Sequence, residues 1–257
     1  MLAVERQHRI LEMLSQSSAI STARAAKALG VTEETVRRDF EKLEADGRLG
    51  REHGGAVRVA DSRRDLPLDS RETANVDEKA AIARVALTQI QKRDTLFFDA
   101  STTVFHLARL LADLEVTVLT NGLKIAIELA QRPAVDVILI GGAVSHTSLS
   151  CRGTLTDQML DSHHVQKAFI SCRGLDAQCG LSEANAEQAA LRRKVIKLSN
   201  RTILLADHTK MGLKSSYLFA RLADVDTLIT DRPPEKRLRQ KLKQAGTTVL
   251  LPGRGKF

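Results

Sequence analysis

Apolar side chains recur at helical spacing in three stretches of the first fifty residues, 5–17, 22–29 and 31–43. A short extended piece at 19–21 separates the first stretch from the second, and Gly30 supplies the left-handed turn that ends the second helix. Two short helices joined by a tight turn that contains glycine are typical of a helix-turn-helix, whose second helix enters the DNA major groove. The pattern therefore predicts a recognition helix at 31–43.

The predicted recognition helix combines a narrow apolar stripe with a charged outer face. Val36, Phe40 and Leu43 recur at i, i+4 and i+7, and Thr32 is a good N-cap. An ordinary amphipathic surface helix is the alternative, because charged outer faces are the norm. With Arg37 and Arg38 as first choices, the side chains expected to contact DNA are Ser21, Thr32, Thr35, Arg37, Arg38, Lys42, Arg51 and His53.

Two short strands follow this helix, at 48–51 and 56–59, around a glycine-containing bend. Their arms carry Arg48, Arg51 and Arg58. A cationic hairpin beside a recognition helix is typical of a wing that lies along the phosphate backbone. The first part of the chain is therefore predicted to be a winged helix-turn-helix DNA-binding domain over 1–57.

Residues 6–57 resemble the winged head of the DeoR-type family of bacterial sugar-operon repressors. The resemblance is carried by Arg37-Arg38-Asp39, by Leu43-Glu44 and by the wing sequence His53-Gly54-Gly55-Ala56. The family usually has Ser where Thr32 stands and Leu where Phe40 stands, and both changes keep the cap and the core. The resemblance implies that the chain regulates transcription.

Residues 58–76 lack sustained periodicity and contain Pro67, so we predict a linker between the head and a second domain over 77–257. In that domain short, almost wholly apolar strands alternate with helices, which indicates an α/β fold with a Rossmann-like parallel sheet covered on both faces. The predicted strands are 95–98, 116–120, 135–140, 168–171, 202–206, 227–230 and 248–251. The predicted helices are 77–92, 103–114, 124–130, 155–160, 185–198 and 235–244.

Small or polar residues follow five of these strands, at the edge of the sheet where α/β proteins bind ligands. The sequence Asp99-Ala-Ser-Thr-Thr103 leads into a helix N-terminus and suits an anion, although a simple capping turn is the alternative. Asp99 can accept hydrogen bonds from sugar hydroxyls, and Lys210 can neutralise a phosphate. The effector-binding candidates at the strand ends are Asp99, Ser101, Thr102, Thr103, Asn121, Gly141, Gly142, Asp176, Asp207 and Lys210.

The resemblance to the DeoR-type family continues through this domain, which looks like the family's effector domain. It adds Asn185, Glu187 and Arg192 to the effector-binding candidates, and it implies a fold similar to ribose-phosphate isomerases and coenzyme A transferases. The family binds a phosphorylated sugar or related metabolite and then releases its operator. Here Ala100 stands where the family usually has Gly, and Arg192 stands where it often has Lys; Arg192 keeps the charge but prefers a forked anion contact.

Composition narrows the class of protein without identifying it. The chain has 257 residues, of which 43% are hydrophobic and 27% charged, and it has no apolar run near 18 residues. We therefore expect no membrane segment and a cytoplasmic location. Three cysteines without a CxxC spacing, and the adjacent pair His163-His164, predict neither disulfides nor a metal site.

The net charge of +8 lies mostly outside the predicted DNA-binding head. Residues 1–64 hold twelve Lys and Arg against ten Asp and Glu, whereas residues 65–257 hold twenty-seven against twenty-one. The excess concentrates at 192–201 and 236–243, which are solvated helix faces or, as the alternative, docking surfaces for an anionic ligand or DNA.

Several observations favour a sensor over an enzyme. Relatives that catalyse sugar-phosphate isomerisation have a Lys-Gly-Gly-Gly loop and a Glu before a Lys, whereas this chain has Arg192 near the base position, and arginine cannot act as a base. We expect no catalytic residue, no metal and no cofactor. The expected partners are double-stranded operator DNA, a phosphorylated sugar effector and further copies of the chain in a homodimer or homotetramer. The alternatives are an isomerase-like enzyme with a DNA-binding head, an activator built from the same parts, and an architectural DNA-binding protein.

Overall fold

The computed structural model describes residues 2–17, 19–45, 49–52, 54–57, 67–111 and 114–253. The chain divides into two compact units, Met1–Asp61 and Ser62–Phe257, which we call the head and the body. The boundary falls inside the predicted linker 58–76, of which 58–66 lies outside the described residues.

The head contains three helices and a small antiparallel sheet, as a winged helix-turn-helix requires. Its elements are α1 (Ala3–Gln16), β1 (Ala19–Ser21), α2 (Thr22–Leu29), α3 (Glu33–Ala45), β2 (Gly50–Glu52) and β3 (Gly55–Val57), with strand order β1-β3-β2. Gly30 ends α2 with a φ of 66°, the left-handed conformation predicted for it. The stripe of Val36, Phe40 and Leu43 on α3 is fully buried against Ile10 of α1 and its neighbours. The predicted core face of the recognition helix is thus confirmed.

A buried ion pair joins the recognition helix to α1. Asp39 is 4% exposed and accepts hydrogen bonds from the guanidinium of Arg6 and, at 3.1 Å, from the amide of Gln7. The hydrogen bond with Asp39 raises the pKa of Arg6. In the sequence Arg37-Arg38-Asp39 the two arginines are exposed while the aspartate points inward, so Asp39 has a structural role.

The body is built on a seven-stranded parallel sheet with strand order β15-β14-β12-β9-β4-β5-β6. In chain order the body strands are β4 (Thr95–Phe98), β5 (Val116–Thr120), β6 (Val135–Leu139), β7 (Ala143–Ser145), β8 (Ser150–Arg152), β9 (Val165–Ile170), β10 (Gly174–Asp176), β11 (Gly180–Glu183), β12 (Ser199–Leu205), β13 (Tyr217–Ala220), β14 (Thr227–Ile229) and β15 (Thr248–Leu250). The helices are α4 (Leu68–Glu72), α5 (Val76–Leu87), α6 (Thr102–Leu110), α7 (Leu123–Leu129), α8 (Thr154–Asp161), α9 (Ala186–Leu198) and α10 (Lys236–Gln244).

Helices cover both faces of this sheet, as the sequence predicts. Leu96 and Phe98 of β4 pack in one apolar core with α5, α6 and α7, while Phe97 between them packs in a second core with α8, α9 and α10. Both side-chain directions of a central strand are therefore buried, which explains the near-continuous apolar runs. No helix among the described residues is long and apolar enough to cross a membrane, and the three cysteines are free thiols.

The end of the predicted linker 58–76 contains a helix that the sequence pattern did not indicate, because α4 lies within it. Leu68 is 7% exposed, and its N–H donates to the carbonyl of Thr147 at 2.9 Å. Glu72 pairs with Lys124 at 2.6 Å. Tertiary contacts therefore stabilise a five-residue helix that is too short to show a periodic pattern of its own.

Sequence analysis also missed two small antiparallel sheets, formed by β7 and β8 and by β10, β11 and β13. Their strands have three or four residues, too few for an alternating pattern to be distinguished from a loop. The helix predicted at 103–114 ends earlier, at Leu110, since Leu111 has an extended backbone with ψ 90°.

We predict that Asp39→Ala lowers the free energy of unfolding of the head by about 2–3 kcal/mol, because the largely buried guanidinium of Arg6 loses its hydrogen-bond acceptor. Hydrogen exchange of the α1 and α3 amides measures this change within the full chain. Glu41→Ala is the control: Glu41 forms only an exposed pair with Arg51, which is worth less than about 1 kcal/mol. Equal effects of the two substitutions would contradict the assignment.

Candidate functional site

The outer face of α3 presents two arginines whose partners are local and exposed. Arg37 is 55% exposed and lies 3.4–3.5 Å from the carboxylates of Glu33 and Glu34, and Arg38 is 78% exposed and lies 3.6 Å from Glu34. Exposed ion pairs of this kind contribute less than about 1 kcal/mol. Both guanidinium groups can therefore exchange a glutamate for a phosphate or a base edge at little cost.

Two of the predicted DNA-contacting hydroxyls are used as helix caps. The Ser21 hydroxyl accepts from the N–H of Arg24 at 3.2 Å, at the start of α2. Thr32 accepts from the N–H of Thr35 at 3.3 Å, and the hydroxyls of these two threonines lie 2.9 Å apart. The N-cap predicted at Thr32 is confirmed, and these hydroxyls fix where the helices start.

The remaining candidates of the head lie at the end of α3 and in the wing. Lys42 is exposed on α3. Arg51 on β2 is 39% exposed and pairs with Glu41 at 3.0 Å and with Glu44 at 3.9 Å. These contacts tie the wing to the recognition helix. His53 lies outside the described residues.

In the body, the strand order reverses between β4 and β9. From β4 the chain proceeds to β5 and β6 on one side, and from β9 it proceeds to β12, β14 and β15 on the other. In open α/β sheets the loops that leave two such neighbouring strands diverge, so a ligand crevice is expected at their carboxyl ends. Asp99 follows β4 and Ser171 follows β9, so both stand at this crevice.

Asp99 is committed to partners within the chain. It is 1% exposed; one carboxylate oxygen accepts from the N–H of Ser101 at 3.1 Å, and the other accepts from the N–H of Ser171 at 2.9 Å and from Nε of Arg192 at 2.8 Å. The expectation that Asp99 receives sugar hydroxyls is corrected accordingly: its hydrogen bonds tie together the strand ends that form the floor of the crevice.

Arg192 is the buried cation of the same network. Its Nη1 donates to Glu183 at 2.7 Å, and its guanidinium carbon lies 6.0 Å from the centre of the Phe219 ring. Burial lowers the pKa of Arg192, but the charges of Asp99 and Glu183 outweigh burial and raise it. The forked anion contact expected of Arg192 is thus made with two carboxylates of the chain.

The loop between Asp99 and α6 is a capping turn whose side chains face inward. Ser101 accepts from the N–H of Val104 at 3.3 Å, and Thr102 and Thr103 are buried. The group that can bind an anion here is the N-terminus of the nine-residue helix α6.

The end of β12 carries a buried carboxylate with unused capacity. Asp207 is fully buried; its Oδ1 accepts from Thr209 and, at 3.4 Å, from the amide of Asn75. Among the described residues its Oδ2 accepts no hydrogen bond, and the Lys210 ammonium is 3.8 Å away. An unsatisfied buried acceptor costs about 1–3 kcal/mol, which a ligand hydroxyl would recover.

The spacing of the strands decides which candidates can share one ligand. Neighbouring strands lie about 4.8 Å apart, so the ends of β4 and β12, with β9 between them, are about 10 Å apart. That span suits a sugar phosphate. The ends of β5 and β6 are three and four strands from β12, about 14 and 19 Å, and so stand apart from Lys210.

The candidates after β5 and β6 are tied to their own surroundings. The Asn121 amide donates to the carbonyl of Cys151 at 3.1 Å. The Gly141 carbonyl accepts from the Thr156 hydroxyl at 2.7 Å. A Cβ at Gly142 would lie 2.2 Å from that hydroxyl, and its φ is 144°. The missing side chain at Gly142 therefore makes room for α8. Glycine is explained here by packing, whereas the sequence analysis expected a ligand to approach the backbone.

Three further candidates hold local structure. Asp176 accepts from the N–H groups of Gln178 and Cys179 at 2.8 and 2.9 Å; burial raises the pKa of its carboxyl, but these bonds outweigh it and lower the pKa. Asn185 caps α9, and Glu187 pairs with Arg152. None of the three lies among the contacts described for Asp207 and Lys210.

Lys79 belongs to the crevice and was missed by sequence reasoning. It is 3% exposed on α5, and its ammonium donates to the backbone carbonyls of Arg71 and Ala74. Burial lowers its pKa to about 8; Asp207 raises the pKa and Lys210 lowers it. The sequence pattern could have indicated that Lys79 is buried, because it lies on the inward face of α5, three residues before the buried Ile82.

A carboxylate–histidine cluster near β14 has an arginine beside it. Asp231 accepts from the backbone N–H of His208 at 2.7 Å and lies 2.7 Å from its Nδ1. Arg232 is 3.4 Å from Asp231 and 3.9 Å from Glu78. The potential metal ligands that come together in the described part of the chain are Glu78, His208 and Asp231. The guanidinium of Arg232 stands where a metal ion would supply positive charge.

Comparison with known proteins agrees with this two-part architecture. Residues 6–62 match the DeoR-like helix-turn-helix domain, and residues 74–232 match the DeoR C terminal sensor domain. The chain is 41% identical to the uncharacterized HTH-type transcriptional regulator YulB of Bacillus subtilis, over 99% of this chain and all of that protein. It is 33% identical to the HTH-type transcriptional repressor GlcR of the same species, over 96% and 95% of the two chains.

A solved structure aligns with part of the chain. Ribose 5-phosphate isomerase A from Methanocaldococcus jannaschii gives a TM-score of 0.41 at 15% identity, over 54% of this chain and 55% of that one.

We predict that Arg192→Met lowers the free energy of unfolding of the body by about 3–5 kcal/mol, because it leaves two buried carboxylates without their cation. Urea denaturation followed by circular dichroism measures the loss. Lys197→Met, an exposed position on the same helix, is the control and is expected to stay within about 0.5 kcal/mol of the parent. A mild effect at Arg192 would show that the network is not structural.

Proposed function

The chain belongs to the DeoR family of helix-turn-helix transcriptional regulators, and from this premise we propose that it is an operator-binding repressor released by a phosphorylated sugar. The head binds operator DNA through α3 and the wing. The body binds the metabolite at the carboxyl ends of β4, β9 and β12. The observation that carries the second half is the pairing of the buried, half-satisfied Asp207 with Lys210 after β12, two strands from the end of β4 that leads into α6.

This arrangement matches the two ends of a sugar phosphate. A phosphate takes hydrogen bonds from a helix N-terminus and charge from an ammonium group. Sugar hydroxyls donate to a carboxylate, and Oδ2 of Asp207 has that capacity. In this scheme Asp99 and Arg192 touch no ligand; they hold the floor of the site in place.

Sensing without catalysis follows from the state of the charged groups. Isomerisation of a sugar phosphate requires a base near its acidic carbon. Arg192 is always protonated, and Asp99 is occupied by three donors. The pKa of Lys79 is lowered to about 8, a value suited to a base, but its ammonium donates its protons to two carbonyl groups of the chain.

Operator binding is expected to involve more than one copy of the chain. A single winged head contacts few base pairs, and regulators of this type bind two half-sites related by a two-fold axis. A homodimer or a homotetramer satisfies this requirement. The same parts would make an activator if the operator lay upstream of a promoter, and that alternative depends on the position of the DNA site.

We predict that Arg38→Ala weakens binding to the operator by 1–3 kcal/mol, roughly 5- to 150-fold, through loss of one guanidinium contact. The measurement is a gel-shift titration at fixed salt, on a duplex selected from random sequences by the parent protein. Arg84→Ala, an exposed arginine of the body, is the matched control and should leave affinity unchanged. Parent-like affinity of the Arg38 variant would remove α3 from the interface.

We predict that Lys210→Ala keeps operator affinity but raises the metabolite concentration needed for release by roughly 10- to 100-fold, the worth of one charge-assisted hydrogen bond. The metabolite is first identified by thermal shift in a screen of sugar phosphates. Lys241→Ala on α10 is the control for loss of one positive charge. A normal response of the Lys210 variant would place the site elsewhere, and turnover of the metabolite would favour the enzyme.

A further inference from the structure

The segment 67–75, which we call the strap, is the first described part of the body after the head. It contains α4 and the corner that leads into α5. Leu68 lines a small cavity together with Ala100, Ser101 and Phe105, at the loop that begins α6. The strap therefore lies over the carboxyl end of β4, beside the proposed effector site.

The corner of the strap is bonded directly to the loop that carries Lys210. The Asn75 amide donates to Oδ1 of Asp207 and to the Thr209 hydroxyl, at 3.4 Å in each case. Asn75 holds a φ of 51°, a left-handed conformation that asparagine tolerates better than most residues. Any ligand that enters between Asp207 and Lys210 therefore meets this corner.

Lys79 fastens the strap to the body from below. Its ammonium group donates to the carbonyls of Arg71, in α4, and of Ala74, in the corner. Carbonyls at the C-terminal end of a helix have no partner within the helix, so this lysine caps α4. The strap is thus held by a buried cation whose hydrogen-bond partners are neutral.

The charges around Lys79 are those of the effector site. Asp207 attracts its ammonium and Lys210 repels it; from the strap, Arg71 repels it and Glu72 attracts it. From α6, His106 faces the same group, and the charge of Lys79 contributes to lowering the pKa of that imidazole. A buried ammonium is stabilised far more by an anion than by two carbonyl dipoles.

We propose that Lys79 is the positioning residue that couples the effector site to the strap: an anion bound beside Lys210 draws the ammonium of Lys79 away from the carbonyls of Arg71 and Ala74, and the strap loosens. This inference rests on the proposed function. A ligand shifts an equilibrium only by binding one state better than the other. The anion binds better when the strap is released, and by reciprocity docking of the strap weakens the anion.

Hydrogen exchange in the full chain tests the coupling. The probes are inorganic phosphate and glucose 6-phosphate, with thermal shift as an independent measure that the anion binds. In the parent protein, a saturating probe should accelerate exchange of the strap amides at least tenfold. In Lys79→Met the strap should exchange fast from the start and respond no further to the probe.

Lys167→Met is the matched control for removing a buried lysine. Lys167 donates to the carbonyl of Gln89 and to Asp94, within a buried pair at the opposite end of the sheet. Its loss should destabilise the body while leaving the response of the strap to the probe intact. An equal loss of response in both lysine variants would overturn the proposal, since the effect would then be one of general stability.

Sulfate, which keeps its charge between pH 7 and pH 9, supplies a second readout. With a pKa of about 8, Lys79 is mostly protonated at pH 7 and mostly neutral at pH 9, so binding at pH 9 must take up a proton. Affinity measured by calorimetry should fall roughly tenfold over this range in the parent. In Lys79→Arg, which stays charged, it should change little, and the strap should still respond.

The outcomes separate this inference from the function it rests on. If the probes raise the melting temperature but strap exchange is unchanged, the coupling through Lys79 is wrong and the effector site stands. The same holds if Lys79→Arg shows the pH dependence of the parent. If neither these probes nor any sugar phosphate of the screen binds the parent protein, both the effector site and the coupling are wrong.

Discussion

The body depends on a buried guanidinium. Arg192, on α9, joins Asp99 at the end of β4 to Glu183 at the end of β11, and Asp99 in turn accepts from the backbone after β9. Removing a cation from water costs several kcal/mol, and this cost is met only while both carboxylates and their hydrogen bonds are in place. The network therefore holds these segments in one fixed arrangement. A ligand crevice beside them is rigid for the same reason.

The head uses the same device on a smaller scale. Asp39 follows two exposed arginines that are suited to DNA, but it turns inward to Arg6 and Gln7 and holds α3 against α1. A recognition helix must keep a fixed orientation if its side chains are to reach base edges. In both units, then, a charge that looks like a ligand contact serves to hold in place the surface that contacts the ligand.

Charged groups around the crevice differ in how completely they are satisfied, and this difference separates scaffold from site. Asp99 and Arg192 have all the strong partners they need within the chain. Within the described part of the chain, Oδ2 of Asp207 accepts no hydrogen bond, and the buried ammonium of Lys79 donates to neutral carbonyls. Groups of the second kind gain most from an incoming anion or hydroxyl, so they mark where binding can change the structure.

The sequence alone determined the order and type of nearly all the long elements, the α/β class, the winged head, the cap at Thr32 and the left-handed turn at Gly30. These features arise from interactions within a few residues, so local periodicity and capping chemistry record them. Only the tertiary structure decided that Asp99 and Arg192, 93 positions apart, satisfy one another, that Gly142 makes room for Thr156, and that Lys79 fastens the strap. Burial and partnership of a charge depend on segments far away in the chain, and no pattern along the sequence contains them.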